Sequence, residues 1–447
     1  MTTIYLPVEV IKRELTSRAM QASKLAASGN ICYVFEHTFF DRNGWPDSGI
    51  YIGKNCFRTE RPYPYTYYKA MKDAGISLWY LDEEGGPYTG ESEEGWCKEL
   101  RLRMDPAGLQ ADDKILAWGL WQQQWHLENG AQCEVHATGS PNFDIYQKKY
   151  HTFFSERDLE KTGGMNNFIL INTRFSIANP LNSSSSLQEL MKAGSPVSTL
   201  IPSDFIENIF LNESYLFLQF IELVRELAKQ LPDEQIVLRP HPAESDQIYK
   251  AMTQNFSNVH VIGQGSAESW IRQSRLLIHN GCTTAIQAHI AGKPVISYCP
   301  EPKASGSITT LGFQNKMGKK CSTVDDVIAS IKNGCMAANA DATAEISRSI
   351  ARLDTVDYIV NMVNEHNQQH HGESKGNHLI GTSHKTYKLQ SLKDVARLAS
   401  SFLSISPRET FDYDAFSEIS DLVEIWNKGF GFNVKVGKVA EGCYVFY

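Results

Sequence analysis

Short apolar runs alternate along the chain with longer stretches whose apolar residues recur at helical spacing. In the first third, the apolar runs predict strands at 3–8, 30–36, 76–82, 114–119 and 133–139. Between the first two runs, Ile11, Leu15, Met20 and Leu25 fall close to one helix face. A strand–helix–strand rhythm of this kind predicts a parallel sheet with helices on its faces.

A second series of apolar runs follows residues 140–165. It predicts strands at 167–173, 235–240, 259–263, 275–281 and 294–298. A long amphipathic helix over 212–231 separates the first two of these strands. Two successive series predict an α/β protein with two Rossmann-like domains, 1–160 and 161–363, whose parallel sheets face a central cleft.

The remaining residues, 364–447, are predicted to form a linker and a mainly helical C-terminal segment, with helices at 391–404 and 414–429. We expect this segment to be an appendage on the two domains.

Composition narrows the class of protein. A chain of 447 residues is too long for one ordinary core. A net charge of −8 argues against a nucleic-acid partner, although a local anion site stays compatible with that charge.

Nine cysteines without metal-ligand spacing predict reduced thiols. No apolar stretch reads as a signal peptide or membrane span, so we expect a cytoplasmic protein that works at the inner face of the inner membrane.

Polar residues follow the predicted strand over 235–240 directly, in the run Arg239-Pro240-His241-Pro242. Ligands of parallel α/β sheets bind beyond the carboxyl ends of the strands, so Arg239 and His241 are candidates for binding a phosphate. Histidine can also share a proton with a phosphate oxygen. The alternative is a structural arginine at an ordinary strand exit that is ended by proline.

The predicted strand over 275–281 ends in a second polar group. His279, Asn280 and Gly281 are followed by Thr283 and Thr284, which begin an apparent helix. Hydroxyl groups and free amides at a helix start bind anions, and glycine allows close approach of a ligand to the backbone. Ordinary N-capping by Thr283 is the alternative.

Acidic residues are the catalytic candidates in the first domain. Asp82, Glu83 and Glu84 follow an apolar strand and precede a Gly-Gly turn. Adjacent like charges raise a carboxyl pKa, which suits a general acid or a carboxylate nucleophile, although acids before a surface turn are common. Glu9, beside the first predicted helix, is a further candidate, with a surface ion pair to Arg13 as its alternative.

Several familiar motifs are absent from the sequence. GxGxxG does not follow the first strand, and GxxxxGK[ST], GxSxG and HExxH do not occur. The sequence therefore lacks the motifs that would identify a dehydrogenase, a P-loop protein, a hydrolase with a nucleophile elbow or a zinc protease. A nucleotide-sugar site built from strand-end His, Arg and hydroxyl groups remains.

Seven separated motifs together resemble the bacterial surface carbohydrate biosynthesis proteins and are similar to the retaining β-Kdo glycosyltransferases, which have a GT-B architecture. The motifs are LPVEVIKREL, LDEEG, WG at 118–119, TGSPNFD, FILINTRFSIAN, LRPHPAE and LLIHNGCTTAIQAHIAGKPVISY. The resemblance covers roughly residues 4 to 300, in order, and no motif matches after about residue 365.

The resemblance implies transfer of Kdo, an acidic 3-deoxy-octulosonic sugar, from CMP-β-Kdo to a bacterial surface polysaccharide, which is an O-antigen of lipopolysaccharide or a capsule. Retention would proceed through a sugar bound to an enzyme carboxylate. The family's HP pair, which handles the nucleotide phosphate, carries over onto His241 and Pro242. Asp82, Glu83 and Glu84 are the candidates for the carboxylate, with Glu244 and Asp246 as alternatives on the donor side.

The same resemblance sets the expected partners. These are CMP-Kdo, a glycan acceptor and, peripherally, the inner membrane or other polysaccharide-assembly enzymes. We expect no cofactor and no metal, because CMP leaves as a stabilised phosphate monoester. The alternatives are a UDP-sugar-dependent GT-B transferase or epimerase, and a non-catalytic glycan-binding module.

Overall fold

The computed structural model describes residues 1–54, 66–82, 104–181, 203–301, 313–334, 349–369 and 415–447, with isolated positions between some of these ranges. These residues form two compact units. The first unit comprises the described residues of Met1–Gly85, Leu102–Ile145 and Ile350–Tyr447, and the second comprises those of Gly86–Arg101 and Tyr146–Ser349.

The first unit contains a parallel sheet of six strands in the order β2-β1-β3-β4-β5-β6. The strands are β1 Thr3–Val8, β2 Ile31–Glu36, β3 Gly49–Gly53, β4 Ile76–Tyr80, β5 Lys114–Ala117 and β6 Glu134–Ala137. The helices are α1 Ile11–Ala27, α2 Phe39–Asn43, α3 Thr66–Asp73, α4 Leu120–Glu128 and α5 Pro141–Asp144. One face of the sheet is covered by an aromatic-rich core around Tyr5, Tyr33, Phe35 and Phe40.

The second unit contains a parallel sheet in the order β12-β11-β10-β7-β8-β9. Its strands are β7 Phe168–Asn172, β8 Ile236–Arg239, β9 Val259–Val261, β10 Ser274–His279, β11 Val295–Tyr298 and β12 Lys319–Cys321. Its helices are α6 Ser155–Lys161, α7 Ser203–Gln230, α8 Gln247–Thr253, α9 Ala267–Gln273, α10 Thr284–Ile290 and α11 Val324–Lys332. Short 3-10 turns lie at Pro106–Gly108, Lys148–Phe153 and Phe313–Lys316.

Helix α7 packs one apolar stripe against the second sheet. Phe217, Phe220, Val224 and Leu227 recur at helical spacing and are buried with the inward-facing strand residues Ile169 and Ile171 among others. Full burial of side chains of this size stabilises the fold by about 1.5–3 kcal/mol each. The predicted helix over 212–231 is confirmed, and it begins earlier, at Ser203.

The C-terminal residues belong to the first unit. Helix α12 (Thr355–Gln369) and helix α13 (Phe416–Phe430) pack against α1, and the hairpin of β13 (Val436–Ala440) and β14 (Cys443–Phe446) adds to the first sheet. Strand β14 pairs antiparallel with β2, which makes an eight-stranded sheet. The chain therefore enters the second unit after Ile145 and returns at Ile350, whereas the sequence predicted boundaries at 160/161 and 363/364.

The predicted fold class, an α/β protein with two Rossmann-like units, parallel sheets and a C-terminal segment containing helices, is confirmed. The central cleft stays a prediction, and the predicted helix over 391–404 lies outside the described residues. No helix in the described ranges combines the length and apolarity needed to cross a bilayer.

Candidate functional site

In each parallel sheet the direction in which successive strands are added changes at one point. In the second unit the chain adds β8 and β9 on one side of β7 and then β10, β11 and β12 on the other. This is the strand order of dinucleotide-binding domains, in which the ligand binds beyond the carboxyl ends of the strands at the reversal. The reversal lies between β7 and β10 in the second unit and between β1 and β3 in the first.

Four polar side chains form a row across the carboxyl ends of neighbouring strands in the second unit. The backbone register pairs Asn172 with Arg239 and with His279, and it pairs His279 with Ser297. Residues in register on neighbouring strands point to the same face of the sheet. All four are buried, and because burial of a polar group costs free energy unless it is hydrogen-bonded, their partners show what each residue does.

Arg239 holds a loop of its own sheet. Its guanidinium donates to the backbone oxygens of Gln264 at 2.8 Å and Gly265 at 2.7 Å, and it lies 5.2 Å from the ring centroid of Trp270. Longer hydrogen bonds reach the backbone oxygens of Ile262 and Ser266. Burial lowers the pKa of Arg239 to about 10, so the group stays charged at neutral pH. Donor-phosphate binding by Arg239 stays a prediction.

The ring of His279 has a protein partner at each nitrogen. Its Nδ1 accepts from the Cys282 amide at 3.3 Å, and its Nε2 lies 3.0 Å from Ser297 Oγ. Because Nδ1 accepts, the neutral ring carries its hydrogen on Nε2 and donates it to the serine. Burial lowers the pKa of His279 to about 3, so the ring is neutral and stabilises the turn after β10.

The turn after β10 contains one unused acceptor. Asn280 Nδ2 donates to the Tyr298 backbone oxygen at 2.8 Å, while its buried Oδ1 has no hydrogen-bond partner. Gly281 has a φ of 61°, a conformation that favours glycine, and its amide donates to Asn315 Oδ1 at 2.7 Å. The glycine therefore serves a tight turn.

The two predicted hydroxyl groups differ in their surroundings. Thr283 is exposed at the start of α10 and makes no side-chain capping hydrogen bond there. Thr284 Oγ1 donates to Cys282 Sγ at 3.0 Å. Thr283 is therefore accessible to a ligand, and Thr284 has an internal partner.

His241 and Pro242 are exposed at the carboxyl end of β8. The His241 ring accepts a hydrogen bond at Nδ1 from the Ala243 amide at 3.2 Å. This contact orients the imidazole relative to the loop, and the residue is exposed at the sheet edge. Phosphate binding by His241 stays a prediction.

Glu244 ties the loops after β7 and β8 together. Its buried carboxylate accepts hydrogen bonds from Thr173 Oγ1 at 2.9 Å, the Phe175 amide at 2.7 Å, the His241 amide at 3.2 Å and Tyr249 Oη at 2.7 Å. Burial raises the pKa of Glu244 to about 7 despite these hydrogen bonds. Glu244 therefore positions the His241 backbone, while the alternative acid, Asp246, lies in a more exposed ion pair with Lys250.

Arg174, which sequence reasoning did not select, lies at the reversal of the second sheet. It follows β7 by two residues, and its Nε donates to the Asn280 backbone oxygen at 3.0 Å. Asn172, the last residue of β7, has a buried Oδ1 without a hydrogen-bond partner. The signal was present in the sequence, because Arg174 follows a predicted strand just as Arg239 ends one.

In the first unit, Glu9 lies at the reversal between β1 and β3. Its Oε2 is 2.7 Å from Lys54 Nζ and 3.9 Å from Arg13 Nη2. Arg13 is closer to Glu14, at 2.7 Å. A Cβ on Gly53 would lie 2.5 Å from Pro7 Cγ, so glycine lets the ends of these two strands approach closely. The predicted Glu9–Arg13 pair is thus the longer of two contacts.

Asp82 follows β4 and is buried, and its backbone oxygen accepts a hydrogen bond from Trp118 Nε1 at 2.7 Å. The other two predicted acids, Glu83 and Glu84, lie outside the described residues. Within the described ranges, no group of three or more His, Cys, Asp and Glu side chains is arranged to hold a metal ion.

Comparison with known proteins gives distant structural similarities. No family model and no curated protein matches the sequence. A UDP-GlcNAc 2-epimerase from Neisseria meningitidis bound to UDP-GlcNAc has a TM-score of 0.46 at 12% identity, covering 81% of this chain and 99% of that chain. The wall teichoic acid polymerase TagF has a TM-score of 0.44 at 10% identity, covering 82% of this chain and 89% of that chain. At such identities and TM-scores, these similarities assign neither a family nor a function.

Proposed function

We propose that the chain is a GT-B glycosyltransferase that transfers Kdo from CMP-β-Kdo to a bacterial surface polysaccharide with retention of configuration. The observation that carries the proposal is an exposed strand-end imidazole, His241, in a unit with the strand order of dinucleotide-binding domains. The seven-motif resemblance to β-Kdo transferases supports the choice of donor.

On the donor side, His241 donates a hydrogen bond to a phosphate oxygen of CMP and can share a proton with it as the nucleotide leaves. The exposed hydroxyl of Thr283 is a second hydrogen-bond donor. It follows β10, which lies on the other side of β7 from β8. Glu244, which accepts from the His241 amide, keeps the imidazole-bearing loop in place.

On the sugar side, a carboxylate from Glu9, Asp82, Glu83 or Glu84 attacks the anomeric carbon. The bond from that carbon to the phosphate oxygen breaks, and its electron pair leaves with CMP. The acceptor hydroxyl oxygen then displaces the carboxylate and loses its proton to a base, and the two inversions give net retention. Lys54 Nζ lies 2.7 Å from Glu9 Oε2, and this ion pair holds the Glu9 carboxylate at the end of β1.

The test is a transfer assay with CMP-Kdo and an oligosaccharide acceptor. We expect His241→Ala to abolish turnover with an unchanged circular dichroism spectrum, and a fully active variant would remove His241 from the mechanism. Mass spectrometry after exposure to CMP-Kdo should show a covalent sugar adduct that disappears in one of the variants E9Q, D82N, E83Q and E84Q. Turnover should persist in EDTA, because the reaction is proposed to need no metal.

Competition experiments separate the rival functions. CMP, and not UDP, should inhibit the reaction; inhibition by UDP alone would indicate a UDP-sugar transferase or epimerase. Tight glycan binding without turnover of any activated sugar would indicate a non-catalytic module. We place the reaction at the cytoplasmic face of the inner membrane, with the glycan acceptor as partner.

A further inference from the structure

The second unit has two arginines at the carboxyl edge of its sheet, and they differ in what they bind. The guanidinium of Arg239 is buried and donates to backbone oxygens of the loop over 262–266. Arg174 is half-buried, and among the residues that the structure describes its guanidinium makes one hydrogen bond, from Nε to the Asn280 backbone oxygen at 3.0 Å. Within the described residues, Arg174 has no ion pair.

The terminal nitrogens of Arg174 are accessible. Within the described residues the side chain forms its only hydrogen bond through Nε, so both terminal nitrogens lack a partner. Neither of them is among the buried nitrogens without a partner, so both are in contact with solvent. A guanidinium has five N–H donors in a planar fork that matches the oxygens of a phosphate or carboxylate. The hydrogen bond at Nε fixes one edge of the fork and leaves the two terminal amino groups for a ligand.

The location of Arg174 is the reversal of the sheet. The hydrogen bond to Asn280 joins the segments after β7 and β10, the two strands between which the sheet order changes direction. Burial lowers the pKa of His279, and the positive charge of Arg174 adds to that lowering. Burial raises the pKa of Cys282 and of Glu213 in α7, and the charge of Arg174 opposes both rises. Glu213 itself accepts from the Ile177 and Ala178 amides.

Both sequence neighbours of Arg174 donate hydrogen bonds to one carboxylate. Thr173 Oγ1 and the Phe175 amide both donate to Glu244, at 2.9 Å and 2.7 Å. Because its two neighbours are anchored, Arg174 is presented from a fixed loop. A preorganised cation loses little conformational freedom when an anion binds.

Two buried acceptors without partners lie at the same strand ends. They are Oδ1 of Asn172 and Oδ1 of Asn280, and both side chains are more than nine-tenths buried. Orphaned buried acceptors cost free energy that a hydroxyl or amino donor from a ligand or water would recover. These two amide oxygens lie at the ends of β7 and β10, the same two strand ends that the Arg174–Asn280 hydrogen bond joins.

We propose that Arg174 is the residue that binds an anionic group of the sugar-nucleotide donor, in place of Arg239. This assignment rests on the proposed function, because the ligand is taken from it. The anion is either the nucleotide phosphate or the sugar carboxylate, which present the same paired oxygens to a guanidinium.

The test compares Arg174→Gln with wild type by calorimetry with CMP and cytidine, and by ligand-observed NMR with free Kdo. Loss of a charge-assisted contact should weaken binding of the anionic ligand by about tenfold or more. Cytidine carries no anion, so its binding should change by less than about twofold. Weaker CMP binding identifies the phosphate as the anion, and weaker Kdo binding identifies the carboxylate.

Two further variants complete the test. Arg275→Gln removes a cation near the opposite end of β10, where Arg275 pairs with Glu234 at 2.9 Å, and it should leave both affinities unchanged. Arg174→Lys keeps the charge without the fork and should retain part of the affinity, which covers the case in which R174Q fails to fold.

The outcomes separate the two proposals. If wild type binds CMP or Kdo and the Arg174 variants bind them equally well, the assignment of Arg174 is overturned and the proposed function stands. If wild type binds neither ligand, the proposed function is overturned and the assignment falls with it.

Discussion

The Nζ atom of Lys54 lies 2.7 Å from Oε2 of Glu9 and joins the ends of the two strands between which the first sheet reverses. The side chains are only 8% and 14% exposed. Removal of one partner of a buried ion pair costs about 3–5 kcal/mol, because the other charge is left without compensation.

We expect Lys54→Met to lower the free energy of unfolding by about 3 kcal/mol, at the low end of that range because Arg13 lies 3.9 Å from the same carboxylate oxygen. Denaturant titration measures the change. The control is Lys69→Met, which breaks the exposed Lys69–Asp73 pair and should change stability by less than about 0.5 kcal/mol. Equal effects of the two substitutions would show that Lys54 is not a buried partner.

Gly53 keeps the β1 and β3 ends close, so a side chain there should separate them. A Cβ would lie 2.5 Å from Pro7 Cγ, and overpacking of this kind costs about 1–3 kcal/mol. We expect Gly53→Ala to destabilise the first unit and to increase amide exchange at Lys54. In Gly437→Ala the nearest atom would be 3.5 Å away, so this control should have a smaller effect; the reverse order would contradict the prediction.

A buried ion pair also joins α6 to α9 in the second unit. Arg272 Nε and Nη2 donate to the two carboxylate oxygens of Asp158 at 2.6 Å and 2.8 Å. We expect Asp158→Asn to lower the free energy of unfolding by about 3–5 kcal/mol and to increase amide exchange in both helices. Lys250→Met, which breaks the more exposed pair with Asp246, is the matched control. A wild-type midpoint for D158N would refute the prediction.

Glu244 predicts a pH dependence of stability. Burial raises its pKa in the folded state to about 7, from 4.5 for an ordinary glutamate. The folded state therefore binds the proton more tightly, and the resulting stability is complete below about pH 4.5 and is lost as the pH rises through about 7. The contribution amounts to roughly 3 kcal/mol.

Glu244→Gln removes this titration. The stability of the variant relative to wild type should therefore rise between about pH 4.5 and 7.5. Chemical denaturation at several pH values measures the difference. The control is Glu226→Gln: hydrogen bonds from Lys229 and Gln230 lower the pKa of Glu226, opposite in direction to the shift of Glu244, so this variant should not show the rise. A constant difference between E244Q and wild type would contradict the pKa.

Arg239→Lys separates a loop-holding role from a phosphate-binding role. A lysine ammonium cannot reproduce the planar fork that meets the Gln264 and Gly265 oxygens. We expect faster amide exchange over 262–266 and a stability loss of about 1–3 kcal/mol. Lower CMP affinity with unchanged exchange would instead support the phosphate-binding role for Arg239.

The sequence predicted the strands and helices whose apolar pattern is strong, such as β7, β10 and α7, because burial on a sheet or along a helix face leaves a periodic signal. Strand β3 was missed, since its three apolar residues lie between glycines, which weaken strand propensity. Strand β12, Lys-Lys-Cys, carries no apolar pattern, and its pairing is set by its neighbour β11.

The sequence predicted which residues of the candidate site lie at strand ends, but it did not predict their hydrogen-bond partners. Arg239 and Arg174 both stand at the end of an apolar run. Their difference arises from backbone oxygens more than twenty residues further along the chain, which reach Arg239 only after β9 and its loop have folded. A local pattern holds no information on such a contact.

The pairing of β14 with β2 also orders events during translation. About 400 residues separate Glu36 from Cys443. At a synthesis rate of about 5–20 residues per second, β14 is therefore made roughly 20–80 s after β2. Residues 146–349 of the second unit emerge within that interval. The middle of the polypeptide can therefore reach its native state before its beginning does, and the nascent chain must protect an open sheet edge from pairing with other molecules in the meantime.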